Sequence, residues 1–189
     1  MIRLISKTIP VIEGINTAEE LITYVARVSN PQNQANTTTA AKLLKYCIEN
    51  KHWSIFEHGS FTIEVETTLA IAPQILRHRS FMFQQFSGRY ADITEMGYEI
   101  TRPRRQDYKN RQNSFDDLPE DIISEFQNRQ EENTRKAIED YRWAIQNGIA
   151  KESARFLLPS NMKTRLYITG NIRSWIHYLE TRTDKSAQM

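Results

Sequence analysis

Between Arg77 and Tyr90 the chain reads RHRSFMFQQFSGRY, with three arginines, a histidine and two serines set among aromatics and glutamines and no carboxylate. Guanidinium forks bind phosphates and the carbonyl edges of nucleobases through paired hydrogen bonds, and neighbouring aromatic rings offer planar faces for stacking. The acid-free run is longer than this motif, extending from Thr67 to Ala91, and a second one from Ser153 to Leu179 holds Arg155, Lys163, Arg165, Arg173 and His177. Acids gather elsewhere, mainly between Asp107 and Glu152. A solvated basic helix end is the plain alternative for an isolated Arg-His-Arg, but so long a stretch without carboxylates favours a site for an anionic, ring-bearing ligand. Ser87 then suits a hydroxyl that hydrogen-bonds a phosphate, a nucleophilic role being open only if a base lies beside it. The following Gly88 lets the backbone turn or approach a ligand closely.

Other chemistries are less well supplied. His52 and His58 lack the four-residue spacing of a zinc-binding helix, and no cysteine or acid cluster completes a set with them, so no metal site is expected. Cys47 falls on an apolar stripe without a neighbouring histidine, which reads as a small core hydrophobe more readily than as a nucleophile.

These residues must be positioned by a chain of 189 residues, enough for one well-buried core, and a single domain over 1–189 is expected. The N-terminal MIRLISKTI suits a short strand. TAEELITYVARVSNP carries a capping box, Thr17 with Glu20, and a helix closed by Asn30-Pro31. A second helix is predicted from about Thr38 to Asn50 through Leu43, Leu44, Cys47 and Ile48. Phe61, Ile63 and Val65 alternate with Thr62, Glu64 and Glu66 as in a half-buried strand. From Ala70 the pattern turns helical and delivers Arg77 to Arg79 at the helix end, after which the motif runs into a loop or extended stretch. Residues 103–118 look like a mobile connection. A long helix follows with Ile122, Phe126, Ile138, Tyr141 and Ile145 as its buried face, stopped at Asn147-Gly148. AKESARFLLP suggests a short helix, KTRLYITGN a strand and IRSWIHYLETR a final helix. Helices mixed with a few non-adjacent strands predict an α+β fold, a mixed or antiparallel sheet flanked by helices.

Twenty-five basic residues against 23 acids leave a net charge of +2, too balanced for a protein that coats nucleic acid. No apolar run reaches the length of a membrane span, and the N-terminus does not read as a secretory signal, so no membrane partner and a cytoplasmic location are expected.

RHR, then seven residues and a serine completed by SGRY, resembles the signature of the flavin-dependent thymidylate synthases. The likeness extends over ARVSN, KHWSIFEH, ESARFLLPSNMKTR and NIRSWIHYLETRTDKSAQ in family order. It implies a homotetramer with sites at subunit interfaces, which converts dUMP to dTMP with methylenetetrahydrofolate as one-carbon donor and NADPH to reduce bound FAD. Carried over by position, Ser54, Arg77, His78, Arg79, Gln85, Asn171, Arg173 and His177 would contact FAD. Gln74, Arg77, Gln85, Ser87, Gly88, Arg89, Arg155 and Arg182 would surround dUMP, with Arg182 the catalytic residue. Met82 stands where many members have a hydroxyl residue and Gln85 where several have glutamate. The chain's last residue, Met189, follows directly on DKSAQ, where members usually continue through another helix, so a shortened C-terminus is expected. Two other readings stay open at this level: a flavin- or nucleotide-binding homologue impaired in turnover, and a small nucleic-acid-binding module.

Overall fold

The alternation of Phe61, Ile63 and Val65 with polar residues is realised as strand β2 (Ser60–Thr68), which lies inside a four-stranded sheet with β1 (Ile2–Lys7), β3 (Met82–Gln85) and β6 (Lys163–Asn171). The computed structural model describes residues 1–183. In it the strand order is β1-β2-β6-β3, and every neighbouring pair is antiparallel. Ile63 pairs with Ile168 and Val65 with Leu166, so the apolar sets of the two longest strands share one face. Helices α3 (Ala72–Leu76) and α6 (Ile172–Arg182) cover that face. Ala72, Ile75, Phe81, Leu166, Ile168 and Trp175 form the buried cluster there, and each large apolar side chain so removed from water contributes about 1.5–3 kcal/mol.

The opposite sheet face is polar, yet Glu64 on it is buried, only 4% exposed. Arg3 of β1 donates to its carboxylate at 3.1 Å, and Arg165 of β6 stands beside it. The hydrogen bond from Tyr167, then that from Arg3, holds the Glu64 carboxyl below the usual carboxylate range against the desolvation that would raise it.

A second core lies between α1 (Ala18–Ala26), α2 (Ala40–Glu49) and the short helical turn Trp53–Glu57, where Ile22, Cys47 and Phe56 pack together with Ile172 and Ile176 of α6 beside them. Thr17 and Glu20 form the expected capping box. Helix α1 nevertheless ends at Ala26 with Arg27 as its C-cap, before Asn30-Pro31, and Pro31 opens a separate short turn, Pro31–Asn33. Helix α2 closes with paired bonds from Lys51 N–H to the Ile48 carbonyl and from His52 N–H to the Cys47 carbonyl, which put Lys51 at a φ of 59°.

The third unit is α4 (Glu120–Gln146) with α5 (Lys151–Ala154), joined through Tyr141, Ala144 and Ala154. Its buried stripe runs through Ile123, Thr134, Tyr141 and Ala144, whereas Ile122 and Phe126 are 51% and 43% exposed. Of the expected face Tyr141 is buried and Ile138 and Ile145 are half-buried, but at the N-terminal end burial falls on Ile123, one residue or about 100° of helix rotation from the expected Ile122. The helix expected over AKESARFLLP is α5 alone, followed by the tighter turn Arg155–Leu157. Residues 103–118, expected to be a mobile connection, instead contain a hairpin of β4 (Arg105–Gln106) and β5 (Ser114–Phe115). Its turn forms because Asp107 accepts from the Lys109 and Asn110 backbone N–H groups, and Arg102 and Arg105 pair with Asp116 and Asp117 at its base. The whole is α+β, an antiparallel sheet flanked by helices. No helix among the described residues is long and apolar enough to cross a membrane.

Candidate active site

Two chain reversals meet at one end of the apolar sheet face. Helix α3 carries Gln74 and ends with Arg77 as its C-cap, so the Arg-His-Arg triplet leaves the helix and passes through Ser80 and Phe81 into β3. Pro73 sits in the first turn, where a missing N–H is harmless. Strand β6 ends at Asn171, whose side chain caps α6 by accepting from the Ser174 N–H at 2.9 Å. Ser174 Oγ donates to the Ser80 carbonyl at 3.2 Å, and the Phe81 ring packs against Trp175 with centroids 4.5 Å apart, fastening the reversals together.

Between α6 and the turn Trp53–Glu57 opens a cavity of about 590 Å³, lined by Trp53, Glu57, Asn171, Arg173, Ile176 and His177 among others. The expected Ser54 lies exposed in that same turn. Arg173 donates from Nη1 to Glu57 Oε1, a pairing across 116 residues of sequence. Arg77 and Arg79 are exposed at the neighbouring reversal.

Arg182, in the last turn of α6, reaches back to the triplet. Its Nε–H donates to His78 Nε2 at 3.1 Å and its Nη2 donates to the Gln74 carbonyl. The His78 ring stands edge-on to Tyr178 with centroids 4.7 Å apart. Burial first, then the charges of Arg182 and His177, push the His78 pKa below its ordinary value, so the ring is held neutral.

A second group of expected residues sits beyond the other end of β3. Ser87 and Arg89 line a cleft with Tyr90, Lys151 and Glu152. Arg89 donates from Nε and Nη2 to one Glu152 oxygen at 3.2 and 2.9 Å. Arg155 donates to the Glu152 carbonyl at 3.2 Å, and its Cδ would lie 4.0 Å from a Cβ placed on the buried Gly88. Gln85, in β3, donates to Thr164 Oγ1 at 3.3 Å. The cavity beside Arg173 and the cleft at Ser87 share no lining residue, so the described residues present two groups of site residues rather than a single closed cavity.

Residues 10–189 match the family described as "Thymidylate synthase complementing protein". A probable flavin-dependent thymidylate synthase of Paramecium bursaria Chlorella virus 1 is 54% identical over 186 residues, which is 98% of this chain and 86% of the relative. The flavin-dependent thymidylate synthase of a Synechocystis species is 52% identical over 190 residues, 99% of this chain and 86% of that one. The chain belongs to the flavin-dependent thymidylate synthase family. Among solved structures, the UMP/dUMP methylase PolB of Streptomyces cacaoi bound with 5-Br dUMP superposes with a TM-score of 0.80 at 26% identity, over 97% of this chain and 77% of that one.

The cavity suits the flavin of such a family. Trp53 and Ile176 give it apolar walls that a ring system would need, and Arg173, paired with Glu57, gives it a basic group; of the first N–H groups of α6, that of Ile172 donates to the Gly59 carbonyl and that of Ser174 to Asn171 Oδ1. Glu57 and Glu152, absent from the expected set, are the carboxylates that neutralise Arg173 and Arg89. Each sits inside a family-like segment, KHWSIFEH or ESARFLLPSNMKTR, and that was the available signal. Of the DKSAQ segment, the residues from Asp184 on lie outside the described residues. Cys47 is buried and its thiol pKa is pushed up by burial, which leaves it in the core. Among the described residues no three His, Cys, Asp or Glu side chains converge as a metal site would require.

Proposed function

We propose that this chain methylates dUMP reductively to dTMP, with methylenetetrahydrofolate as one-carbon donor, FAD as cofactor and NADPH as its reductant. The observation that carries the reading is Arg182, whose guanidinium is held beside the Arg-His-Arg reversal in a member of this family. Carbon 5 of uracil must become nucleophilic. With the only cysteine buried, a thiolate adding at carbon 6 is not to hand. The remaining lever is to stabilise negative charge on the N3/O4 edge of the ring, which a fixed guanidinium does electrostatically. Reduced FAD supplies the hydride that completes the methyl group. Asn171, Arg173, His177, Ser54, Arg77, His78, Arg79 and Gln85 are assigned to its binding. Gln74, Arg77, Gln85, Ser87, Gly88, Arg89, Arg155 and Arg182 are assigned to dUMP.

The two separated groups of residues support a site completed between copies. In this reading residues 1–189 act as one domain in a homotetramer in which the Ser87–Arg89 and Arg155 group of one copy faces the Arg182 group of another. A cytoplasmic setting suits the nucleotide substrate and the single unpaired cysteine. A turnover assay with dUMP, methylenetetrahydrofolate, FAD and NADPH, following dTMP directly, tests the activity, and absence of dTMP from flavin-loaded protein refutes it. Light scattering during size-exclusion tests the tetramer, which a monodisperse monomer would exclude.

A further inference from the structure

Arg182 is held by groups outside its own helix. His78 Nε2 accepts from its Nε–H at 3.1 Å, and the Gln74 carbonyl accepts from its Nη2. Two acceptors on one planar guanidinium fix the plane in which its remaining N–H groups point. The first acceptor exists only in the neutral imidazole that carries its proton on Nδ1. An imidazolium has no free lone pair and would face Arg182 as a second cation.

We infer that His78 is the positioning residue of Arg182, orienting the guanidinium toward the uracil edge by accepting its Nε–H. The inference rests on the dUMP-methylating function proposed above, and it gives His78 a role separate from touching the flavin. The groups facing the ring agree with a neutral acceptor. Among the described residues these are Arg182, His177 and Tyr178 from α6 and, on its own segment, the Phe81 ring at 6.3 Å. None of these described groups is a carboxylate that would favour the imidazolium, and burial first, then the charges of Arg182 and His177, lowers the His78 pKa. As pH falls through that lowered pKa, the acceptor becomes a donor and Arg182 is released. Methylation is therefore lost on the acid side by a change in kcat rather than in dUMP affinity.

The experiment compares His78→Ala with His78→Gln, whose Oε1 takes the place of Nε2 and cannot titrate. Dithionite-reduced, flavin-loaded enzyme is given dUMP and methylenetetrahydrofolate across pH. Measured at saturating FAD, because His78 is also assigned to the flavin, His78→Ala is expected to lose about a hundredfold in kcat, the scale of a misplaced catalytic group, with the KM for dUMP little changed. His78→Gln is expected to recover at least tenfold of that loss and to lack the acid limb. In an Arg182→Lys background, His78→Ala is expected to cost no more than about twofold further, since groups that act as a unit are non-additive. Losses that add, or Ala and Gln variants equally impaired at saturating FAD, would overturn the inference. A readout independent of turnover is the Arg182 Nε–H resonance in protein labelled with nitrogen-15 at arginine, assigned by its absence from Arg182→Lys. It should titrate with pH in the wild type and move in His78→Ala, and a signal indifferent to both overturns the contact. A resonance that behaves as expected in protein forming no dTMP would overturn the proposed function, and the catalytic part of this inference with it, while the contact itself stood.

Discussion

Gly170→Ala would add one methyl group where β6 passes under the Phe81 ring. An ideal Cβ there would lie 2.2 Å from Phe81 Cδ1, 2.4 Å from Cε1 and 3.4 Å from Trp175 Nε1. Carbon atoms rest at about 3.5–4.0 Å, so the ring must retreat by more than about 1 Å. Its neighbours oppose that: Trp175, Tyr178 and Phe83 have their centroids 4.5, 5.7 and 6.1 Å from it. Overpacking of a filled core costs about 1–3 kcal/mol, and the upper end applies because the displaced group is a whole aromatic ring. At about 2–4 °C per kcal/mol for a chain of this size, the melting temperature should fall by about 6–12 °C. Flavin affinity should fall as well, since Phe81 follows Ser80 and the ring anchors the reversal that lines the cavity. Thermal and urea unfolding, with flavin titration, measure both. Adding Phe81→Leu should relieve part of the strain, so that the double variant loses at least about 1 kcal/mol less than the sum of the singles. A Gly170→Ala protein within about 0.5 kcal/mol of the wild type, with unchanged flavin binding, would refute the close-approach argument.

Arg182→Lys keeps a positive charge but loses the planar fork. It should still bind FAD and permit its reduction by NADPH while dTMP formation falls roughly a hundredfold or more, the loss of one transition-state stabiliser of about 2.7–4 kcal/mol; an unchanged rate in the pre-reduced enzyme would remove Arg182 from the chemistry. Lys51→Gly should stabilise the fold by about 0.5–1 kcal/mol, because Lys51 is held at a φ of 59° by the cap of α2 and a side chain there is strained where glycine is not, and unfolding in urea would reveal a contrary sign. The Glu64 carboxyl is held low in the fold, so its contribution to stability is present above the unfolded carboxylate pKa of about 4.3 and is lost as pH falls below it. Melting temperatures should therefore drop through that window in the wild type and drop less steeply in Glu64→Gln; parallel curves would contradict the assignment.

Much of the site's chemistry was legible along the chain because it depends on side-chain type. Two acid-free segments carrying Arg77, His78, Arg79, Arg89, Arg155 and Arg173 gave the expectation of an anion site, and local patterns placed most helices and strands near their observed limits. The capping box at Thr17 and the alternation in β2 needed only neighbours within a few residues, which is why they read correctly. The phase of α4 read only in part: Tyr141 was placed inside as observed, but Ile122 and Ile123 are equally apolar, and which of the two is buried is set by packing across the chain rather than by composition. The hairpin in 103–118 was hidden because its stability comes from ion pairs of Arg102 and Arg105 with acids twelve or more residues away.

What the sequence by itself determined is the sign of the charge, the donors available and the period of each element. The fold decided which of those groups act together. Segments without acids along the chain are not without acids in space, for Glu57 reaches Arg173 and Glu152 reaches Arg89. Likewise His78 and Arg182, 104 residues apart, meet because β3 and β6 pair in one register and α6 folds back over their shared face. Coulomb and hydrogen-bond energies depend on separation through space and on burial, and both are set by strand register and helix packing. The same guanidinium is thus a solvated charge in the sequence and an oriented donor in the tertiary structure.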